Sequence, residues 1–384
     1  MTKVPLLDLS AQNGALEAEL TSAFQRVLRS CSYIMGPELE SFEKETARLC
    51  AVEHGLGVSS GTDAILLALM ALGIRPGDEV LVPVFTFFAT AGCVARLGAV
   101  PVWVDVDAHT FNISLDDAAK KISPRTRAII PVHLFGQAAD MDAVLRFARE
   151  FNLFVIEDCA QSLGAKWKGR PVGSFGDFGT YSFFPSKNLG GFGDSGFLGT
   201  QDSALAERAR ILRVHGMSPK YYHAFVGGNF RMDPLQAALL AVKLPHLPSY
   251  NSRRAENAAF YARALGAHAR VAGNTAAAPD DAVLLLPVDF TGEGIWNQYT
   301  LRVRGEGRRD ALRAWLLARN IGCDIYYPLP LDQQECFKDT RRGGEPLRIA
   351  HQLSREVLSI PVFPDLTEIQ RDTVVAAILE WLEA

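Results

Sequence analysis

Short apolar runs rich in β-branched residues recur through the first half of the chain, and they restrict its fold more than any other feature of the sequence. The runs are VLVPV (80–84), VPVWVDV (100–106), AIIPVHL (128–134) and FVIED (154–158). They are largely continuous rather than alternating in polarity, which is typical of strands covered on both faces. Helix-like segments precede or separate them, at 63–72, 89–97, 115–122 and 141–151. This alternation predicts an α/β fold with a mostly parallel sheet.

The pattern changes near residue 245, where a second and smaller domain is predicted. The stretch LPHLP (244–248) is a break marked by prolines. It is followed by a long Ala/Arg-rich helical segment, strand candidates at 284–290 and 298–304, a helix at 308–319 and a closing helix from Glu368. We therefore expect a large α/β domain over residues 1–245 and a small α+β domain over residues 246–384.

The composition excludes several classes of protein. The 384 residues include 43 acidic and 39 basic side chains, so the formal net charge is −4 and neither nucleic acid nor an anionic membrane surface is expected as a partner. The six cysteines show no CxxC pair and no metal-type spacing, which predicts reduced thiols, no disulfide framework and no metal site. No apolar signal core opens the chain, and no apolar stretch approaches the roughly 20 residues of a membrane span. We expect a soluble, cytoplasmic enzyme.

Lys187 is the most unusual of only ten lysines in the chain. In the window FGTYSFFPSKNLGGFG (178–193) it is the sole charged residue among aromatic, small polar and glycine residues. Desolvation disfavours the charged form of a lysine and lowers its pKa. A neutral amine is the form that attacks a carbonyl group to make a Schiff base. The alternative interpretation of this window alone is a loop lysine whose amine reaches solvent.

A candidate phosphate-binding turn precedes the apolar helix at 63–72. The turn reads SSGTD (59–63), and such a turn offers backbone N–H groups, hydroxyls and the positive end of the helix dipole to a phosphate. Ser182, in the hydroxyl-rich TYS (180–182), is placed to reach the same phosphate because it lies just before the lysine. An ordinary helix N-cap is the alternative interpretation of the turn.

Acidic and aromatic residues follow two of the predicted strands. The run FVIED ends in Glu157 and Asp158, and ligands bind at the carboxyl ends of strands in open α/β sheets. A carboxylate there can pair with a cationic ring nitrogen, or it can cap the next turn as a structural acid. Three rings follow the strand at 80–84, namely Phe85, Phe87 and Phe88. We expect one ring to stack on a planar cofactor and the other two to pack in the core. With the lysine and the phosphate turn, these residues are the parts of a pyridoxal-phosphate site.

The glycines from Gly191 to Gly196 (GFGDSG) match the dinucleotide-binding pattern GxGxxG. That pattern belongs between the end of a strand and the start of a helix. Here the strand-like FLGTQD follows, and a helix begins only near Ser203. We interpret the glycines as a tight loop close to the cofactor, and we do not expect an NAD-dependent oxidoreductase.

Ten motifs spread over nearly the whole chain form a recognisable set. They are PLLDL near the start, GPELESFE (36–43), SSGTDA (59–64), GDEVLVPVFTFFAT (77–90), PVHLFGQAADMD (131–142), VIEDCAQSLGA (155–165), SFFPSKNLGGFGDSG (182–196), RVHG (213–216), GGNFRMDPLQAALL (227–240) and YYPLPL (326–331). With these motifs the chain resembles the DegT/DnrJ/EryC1/StrS family of nucleotide-sugar aminotransferases, which depend on pyridoxal 5′-phosphate (PLP). The resemblance implies the fold type I, aspartate aminotransferase-like architecture, with a large PLP-binding α/β domain and a smaller C-terminal α+β domain.

The resemblance implies a role for each candidate residue. Lys187 would carry PLP as a Schiff base, and Asp158 would pair with the pyridinium nitrogen. Gln161 would hydrogen-bond the ring hydroxyl, and Phe87 would stack on the ring. The residues implied to hold the phosphate are Gly61, Thr62 and Ser182, with Asn229 reaching across from the partner subunit of a homodimer that shares its active sites. Because the sugar dehydratases of the family carry histidine at the lysine position, Lys187 implies a transaminase.

The resemblance also implies two half-reactions. An amino acid, L-glutamate, leaves its amino group on the cofactor as pyridoxamine 5′-phosphate (PMP), which then aminates a nucleotide-linked keto sugar. The segments YYPLPL and QYTLRV resemble the subgroup that acts at C3 of dTDP- or UDP-linked 3-keto hexoses. Two alternatives stay open, which are amination at C4, as in perosamine-type enzymes, and a PLP-binding regulator of the same fold that lacks turnover.

Two positions depart from the subgroup pattern in segments where the sugar or nucleotide is expected to bind. Asn297 stands where histidine is frequent, and Asp332 stands where the subgroup often reads PLHLQ. A carboxylate at Asp332 would repel a diphosphate unless it faces solvent. The candidate diphosphate contacts are Lys220, Tyr221 and Arg231, for which a plain surface role is the alternative. We expect His133 and His215 to be structural.

Overall fold

The strands and helices predicted from the sequence are present in a computed structural model, which describes residues 3–340 and 346–384. The strands are β1 (His54–Val58), β2 (Glu79–Pro83), β3 (Val100–Val104), β4 (Thr126–Ile129), β5 (Phe154–Asp158), β6 (Lys166–Trp167), β7 (Arg170–Pro171), β8 (Phe178–Ser182), β9 (Gly196–Thr200), β10 (Val271–Gly273), β11 (Leu284–Leu286), β12 (Tyr299–Val303) and β13 (Val357–Ile360).

Helices alternate with these strands and end the chain. They are α1 (Ser10–Ala15), α2 (Glu17–Ser30), α3 (Pro37–Cys50), α4 (Gly61–Ala71), α5 (Ala89–Arg96), α6 (Leu115–Ala119), α7 (Met141–Phe151), α8 (Ser203–Arg213), α9 (Pro234–Lys243), α10 (Leu247–Gly266), α11 (Arg308–Ala318), α12 (Arg348–Glu356) and α13 (Glu368–Glu383). Within the two described ranges, every helix is too short or too polar to traverse a lipid bilayer.

The large sheet has seven strands in the order β1-β9-β8-β5-β4-β2-β3. The strands from β8 to β3 run parallel to one another, and β9 is antiparallel to both of its neighbours. Val80 and Val82 of β2 pack into one hydrophobic cluster, whereas Leu81 packs into another on the opposite face. Because both faces are covered, the strand sequence is continuously apolar. The predicted α/β fold class is confirmed.

Local chemistry decides where individual elements begin and end. The Ser60 hydroxyl accepts a hydrogen bond from the Asp63 N–H at 3.0 Å and so caps α4. The Asp140 carboxylate caps α7 in the same way through the Ala143 N–H, at 2.9 Å. Strand β4 is shorter than the apolar run that predicted it, and it ends at Ile129. The reason is Pro131, which has no N–H group to donate to a ladder.

A smaller mixed sheet lies in the C-terminal part of the chain, in the order β10-β11-β12-β13. Strands β10 and β11 are parallel, and the other neighbours are antiparallel. Tyr261 of α10, Leu316 of α11 and Ile378 of α13 are buried against Tyr299 and Leu301 of β12 in one cluster. The predicted smaller α+β unit is therefore present.

Residues from each part of the chain pack in the core of the other part's sheet. Val4 forms a parallel bridge with Ile321 and belongs to the core of the small sheet. In the opposite direction, Leu331 and Leu353 pack in the core of the large sheet, and the Leu331 N–H donates to the Val84 carbonyl at 2.9 Å. These contacts place side chains from the C-terminal part next to the carboxyl end of β2. The division at residue 245 stays a prediction.

Gly191 and Gly193 of GFGDSG lie in the connection between two strands, β8 and β9, and Gly196 is the first residue of β9. The Phe192 N–H donates to Oε1 of Gln236 at 2.9 Å, which fixes the loop against α9. The following strand β9 comes before α8, which begins at Ser203. The geometry is therefore that of a tight loop and not of a dinucleotide-binding strand-to-helix turn.

Candidate active site

The carboxyl edge of the large sheet brings most of the predicted site residues together. Asp158 is the last residue of β5, and Ser182 is the last residue of β8, its parallel neighbour. Lys187 follows in the loop after β8, and Phe87 follows β2. Because parallel strands end at the same edge, residues distant in sequence converge there.

Lys187 is partly buried, and its amine makes no hydrogen bond or ion pair with any residue that the structure describes. Burial lowers the pKa of Lys187 from 10.5 to about 8, while the negative charge of Asp158 acts in the opposite direction. The lowered pKa expected from the sequence window is therefore present. Near pH 8 the amine exchanges readily between its charged and neutral forms.

Asp158 is 4% exposed and is held by two hydrogen bonds. The Thr90 hydroxyl donates to Oδ2 at 2.8 Å, and the Ala160 N–H donates to Oδ1 at 3.1 Å. Burial raises the pKa of Asp158, and these bonds and the nearby Lys187 oppose the rise. A positive group placed against this carboxylate would satisfy its charge. The sequence gives no sign of this role for Thr90, which is the last residue of the motif GDEVLVPVFTFFAT (77–90).

The first turn of α4 and Ser182 form a small polar cradle. A Cβ atom on Gly61 would lie only 2.7 Å from the Cβ of Ser182, so the two residues approach closely because Gly61 has no side chain. The N–H groups of Gly61 and Thr62 belong to the first helical turn, which contains no intrahelical acceptor for them. The positive end of the helix and the Ser182 hydroxyl therefore face one region, where phosphate binding stays a prediction.

The three rings that follow β2 have different surroundings. Phe85 is buried, whereas Phe88 is 45% exposed and stacks on Phe337 with ring centroids 5.4 Å apart. Phe87 is 56% exposed, and its nearest ring neighbour is Tyr327 at 6.2 Å. Of the two rings expected to pack in the core, Phe85 is fully buried and Phe88 is not. Phe87, the ring predicted to stack on a cofactor, has free surface for it.

Gln161 is buried with both ends of its amide engaged. Its Oε1 accepts from the Phe135 N–H at 2.8 Å, and its Nε2 donates to the Tyr327 hydroxyl at 3.0 Å. The backbone donor fixes the orientation of the amide, which leaves a second N–H on Nε2 for a ligand. Tyr327 lies within YYPLPL, and no local sequence pattern shows that it reaches Gln161.

Asn229 lies apart from the Lys187 cluster. It is exposed in a surface groove beside α4, lined also by Asp63, Arg96 and Phe230. A residue that serves the site of a partner subunit has to be exposed in this way. That role of Asn229 stays a prediction.

His133, Glu157 and Cys159 form a buried cluster of potential metal ligands beside Asp158. The Ala139 N–H donates to Nδ1 of His133 at 3.0 Å, so Nε2 carries the proton and donates to Glu157 at 3.0 Å. Glu157 also accepts three backbone N–H groups, from 173, 175 and 176. The ligand atoms of His133 and Glu157 are thus already hydrogen-bonded, which fits the structural role expected of His133. His215 is exposed.

The candidate substrate-binding residues lie in different parts of the structure. Asp332 contacts His351, whose Nε2 lies 2.8 Å from Oδ2, so its carboxylate has a hydrogen-bond partner within the chain. Lys220 and Tyr221 lie on an exposed loop, with the Lys220 amine 5.0 Å from the centre of the Tyr221 ring. Arg231 forms a backbone bridge with Val58, the last residue of β1. Asn297 is buried next to the Lys187 loop.

The arrangement fits pyridoxal phosphate at each of its chemical groups. The helix end with Ser182 suits the phosphate, the free face of Phe87 suits the ring, and the buried Asp158 carboxylate suits a protonated ring nitrogen. The unpaired amine of Lys187 suits the aldehyde. Fold and site together define the class of PLP-dependent fold type I transferases.

The chain belongs to the DegT/DnrJ/EryC1/StrS aminotransferase family, whose sequence model matches residues 15–379. It is 44% identical to a pleiotropic regulatory protein of Geobacillus stearothermophilus, over 98% of each chain. It is 42% identical to the UDP-N-acetyl-3-dehydro-alpha-D-glucosamine 3-aminotransferase of Acidithiobacillus ferrooxidans, over 96% of this chain and 95% of the relative. It is 38% identical to the GDP-perosamine synthase of Caulobacter vibrioides, over 90% of each chain.

Solved structures show the same relationship. The crystal structure of S. venezuelae DesV matches with a TM-score of 0.92 and 41% identity over the whole of both chains. NtdA from Bacillus subtilis, solved with bound PMP, matches with a TM-score of 0.91 and 30% identity, over 100% of this chain and 86% of the other. The family and this PMP-bound neighbour imply dependence on pyridoxal phosphate.

Proposed function

We propose that this protein transfers an amino group from L-glutamate to C3 of a dTDP- or UDP-linked 3-keto hexose, with PLP as its cofactor. The observation that carries the proposal is the partly buried Lys187 amine, with a pKa of about 8, in the same site as the buried Asp158 carboxylate. Bound PLP supplies an electron-withdrawing ring on which an amino group and a proton can be exchanged between an amino acid and a keto sugar. We place the reaction in the cytoplasm, because the six cysteines are free thiols.

Lys187 is the proton carrier of the proposed reaction. A general acid/base works best when its pKa lies near the operating pH, because both protonation states are then accessible. Burial brings Lys187 into that range. The Lys187 amine has no hydrogen-bond partner among the described residues, so it is free to rotate and could carry a proton to and from a bound cofactor.

Asp158 is the carboxylate that would pair with the protonated ring nitrogen of PLP. Its two oxygens are oriented by the Thr90 hydroxyl and the Ala160 N–H, so the carboxylate has one defined direction. A positive ring nitrogen in contact with a buried carboxylate favours the charged form of both groups. The hydrogen bonds to Asp158 also stabilise its ionised state.

The remaining site residues bind and orient. The first turn of α4 and Ser182 hold the phosphate group, and Phe87 covers one face of the ring. We further propose that the protein is a homodimer in which Asn229 of one subunit contacts the phosphate held by the other. The exposure of Asn229 beside α4 supports this role.

The choice of C3 rests on the YYPLPL and QYTLRV segments and on the 3-aminotransferase among the relatives. Two competing functions each have a relative in their favour. The GDP-perosamine synthase favours amination at C4 of a keto sugar, and the pleiotropic regulatory protein favours a regulator without turnover.

Absorbance spectroscopy and reduction test the cofactor chemistry. The purified protein is expected to be yellow, and borohydride is expected to attach the cofactor permanently to Lys187, as read by peptide mass spectrometry. Lys187→Ala removes this attachment, whereas Lys44→Ala, at an exposed lysine, retains it. A colourless protein that shows no Schiff-base absorbance band when PLP is added contradicts the proposal. A yellow protein whose spectrum glutamate leaves unchanged favours the regulator or a different amino donor.

The carbon that is aminated is tested in the reverse direction. Aminated UDP- and dTDP-sugars are incubated with the protein and 2-oxoglutarate, and NMR identifies the carbon that becomes a ketone. We expect a C3 ketone. A C4 ketone refutes the C3 assignment and supports the perosamine-type alternative.

A further inference from the structure

Asn188, the residue next to Lys187, has a buried side chain with three hydrogen bonds. Its Nδ2 donates to Oδ1 of Asn251 at 2.6 Å and to the Ile295 carbonyl at 3.1 Å. Its Oδ1 accepts from Nδ2 of Asn297 at 2.8 Å. Two separate parts of the chain, helix α10 and the segment 295–297, therefore converge on the residue that follows the reactive lysine.

Backbone partners fix the orientation of these amides. The Ile295 carbonyl can only accept, so the Asn188 atom that faces it is the nitrogen. The Asn251 nitrogen is fixed in the same way by the Leu163 carbonyl, at 3.2 Å. The Asn188 oxygen is then left for Asn297, whose facing atom has to be a donor.

The same hydrogen-bond network extends to the loop that carries Gln161. The backbone N–H of Asn297 donates to the Phe135 carbonyl at 2.9 Å, and the Phe135 N–H donates to Oε1 of Gln161 at 2.8 Å. Asn251 holds the carbonyl of Leu163, in the loop that follows Asp158. The loop that carries Lys187 and the loop that carries Gln161 are thus joined on both sides.

Helix α10 completes the support. Arg254 of α10 is buried, and its Nη1 donates to the carbonyls of Trp296 at 3.3 Å and Asn297 at 3.2 Å. Asn297 lies just before β12 of the small sheet. The backbone that presents the Asn297 amide is therefore held by the C-terminal part of the chain.

We propose that Asn188, Asn251 and Asn297 are positioning residues that hold the Lys187 backbone at a set place relative to Asp158, so that the placement of the small sheet decides where the lysine amine points. This inference rests on the proposed function of Lys187. It also corrects the expectation that Asn297 lies where the sugar binds, because its side chain is 4% exposed and its amide nitrogen is directed at Asn188.

A matched set of variants tests the inference. Asn297→Leu removes the donor to Asn188 at similar volume, and Asn297→His restores an N–H donor. Asn274→Leu is the control, because Asn274 is another buried asparagine that bonds across to the large domain, at Ala108 and His109, without touching Asn188. Circular dichroism checks folding, and Asn297→Ala replaces the leucine variant if the latter does not fold.

The first readout is the pH profile of Lys187 acetylation in the cofactor-free full-length protein, followed by mass spectrometry. The wild-type midpoint is expected at about 8. In Asn297→Leu a freed loop admits water, which raises the midpoint by about one pH unit and reduces the neutral amine at pH 7 about tenfold. The second readout is steady-state kinetics of the holoenzyme, where we expect kcat to fall about 10- to 100-fold with KM for the amino donor within about twofold. Asn297→His restores both quantities, and Asn274→Leu changes neither.

The two proposals fail in different ways. If wild-type Lys187 captures PLP but Asn297→Leu shows the wild-type midpoint and kcat, the positioning role is refuted. An equal change in Asn274→Leu also refutes it, because the effect is then general loosening. If wild-type Lys187 does not capture PLP, the proposed function is the one that fails.

Discussion

Replacing Lys187 by methionine removes a partly buried amine and is expected to stabilise the cofactor-free protein at neutral pH. Burial lowers the pKa of Lys187 from 10.5 to about 8. Because a tenfold change in proton affinity corresponds to about 1.4 kcal/mol, the charged lysine lowers the free energy of unfolding at pH 7 by about 3 kcal/mol, an upper limit since the side chain is only partly buried. Methionine has a similar length and no charge.

The sign of the effect follows from proton linkage. Between pH 8 and about 10.5 the unfolded chain binds a proton at this lysine and the folded chain does not, so wild-type stability rises with pH in this window. The advantage of Lys187→Met is therefore full below pH 8 and falls toward zero near pH 10.5. Urea unfolding of both proteins from pH 6.5 to 10.5, followed by tryptophan fluorescence, measures the difference. Lys44→Met, at an exposed lysine, is the control and shows no such trend.

One result would refute this reasoning. If the stability difference between Lys187→Met and the wild type is the same at pH 7 and at pH 10.5, the amine is not held in a desolvated setting. Burial then does not prepare Lys187 for carbonyl chemistry, whatever the activity of the variant. A parallel loss of borohydride attachment in Lys187→Met is expected in any case.

Three further substitutions test other parts of the site. Thr90→Val removes the hydroxyl that donates to Asp158 at 2.8 Å. Because hydrogen bonds to charged groups contribute about 1.5–3 kcal/mol, we expect kcat in steady-state transamination to fall about tenfold or more. Gly61→Ala places a Cβ 2.7 Å from that of Ser182, and overpacking of about 1–3 kcal/mol is expected to weaken PLP binding at least fivefold, measured by fluorescence titration. Tyr327→Phe removes the hydroxyl that accepts from the buried glutamine amide at 3.0 Å, and a loss of about 1 kcal/mol in the free energy of unfolding is expected, with an unchanged urea midpoint contradicting it.

The large sheet was predictable because burial on both faces leaves a direct mark on the sequence. Strand β5 and helix α7 have the predicted bounds, since the apolar run ends in acids at Asp158 and α7 is capped by Asp140. Strand β4 and helix α6 are shorter than predicted, since apolar composition alone does not show where hydrogen-bonding partners end.

The main residues of the candidate site could be picked out from the sequence, whereas the residues that hydrogen-bond to them could not. Lys187, Asp158 and Gly61 stand out because each has an unusual local context, such as a lone charge or a glycine in a helix start. Thr90 and Tyr327 have ordinary contexts, and only their contacts with Asp158 and Gln161 show their place. Asn297 departs from a family pattern, and only the tertiary structure shows that its buried amide donates to Asn188.

By itself the sequence determined the α/β architecture and the chemistry available at the end of each strand, because periodicity and local residue type are properties of short windows. It also placed a lone lysine after β8 and an acid at the end of β5. The tertiary structure decided how strongly the Lys187 amine is desolvated and what holds it there, through Asn188 and its partners Asn251 and Asn297. Burial and hydrogen bonding depend on atoms brought together from distant parts of the chain, so no window of sequence contains them.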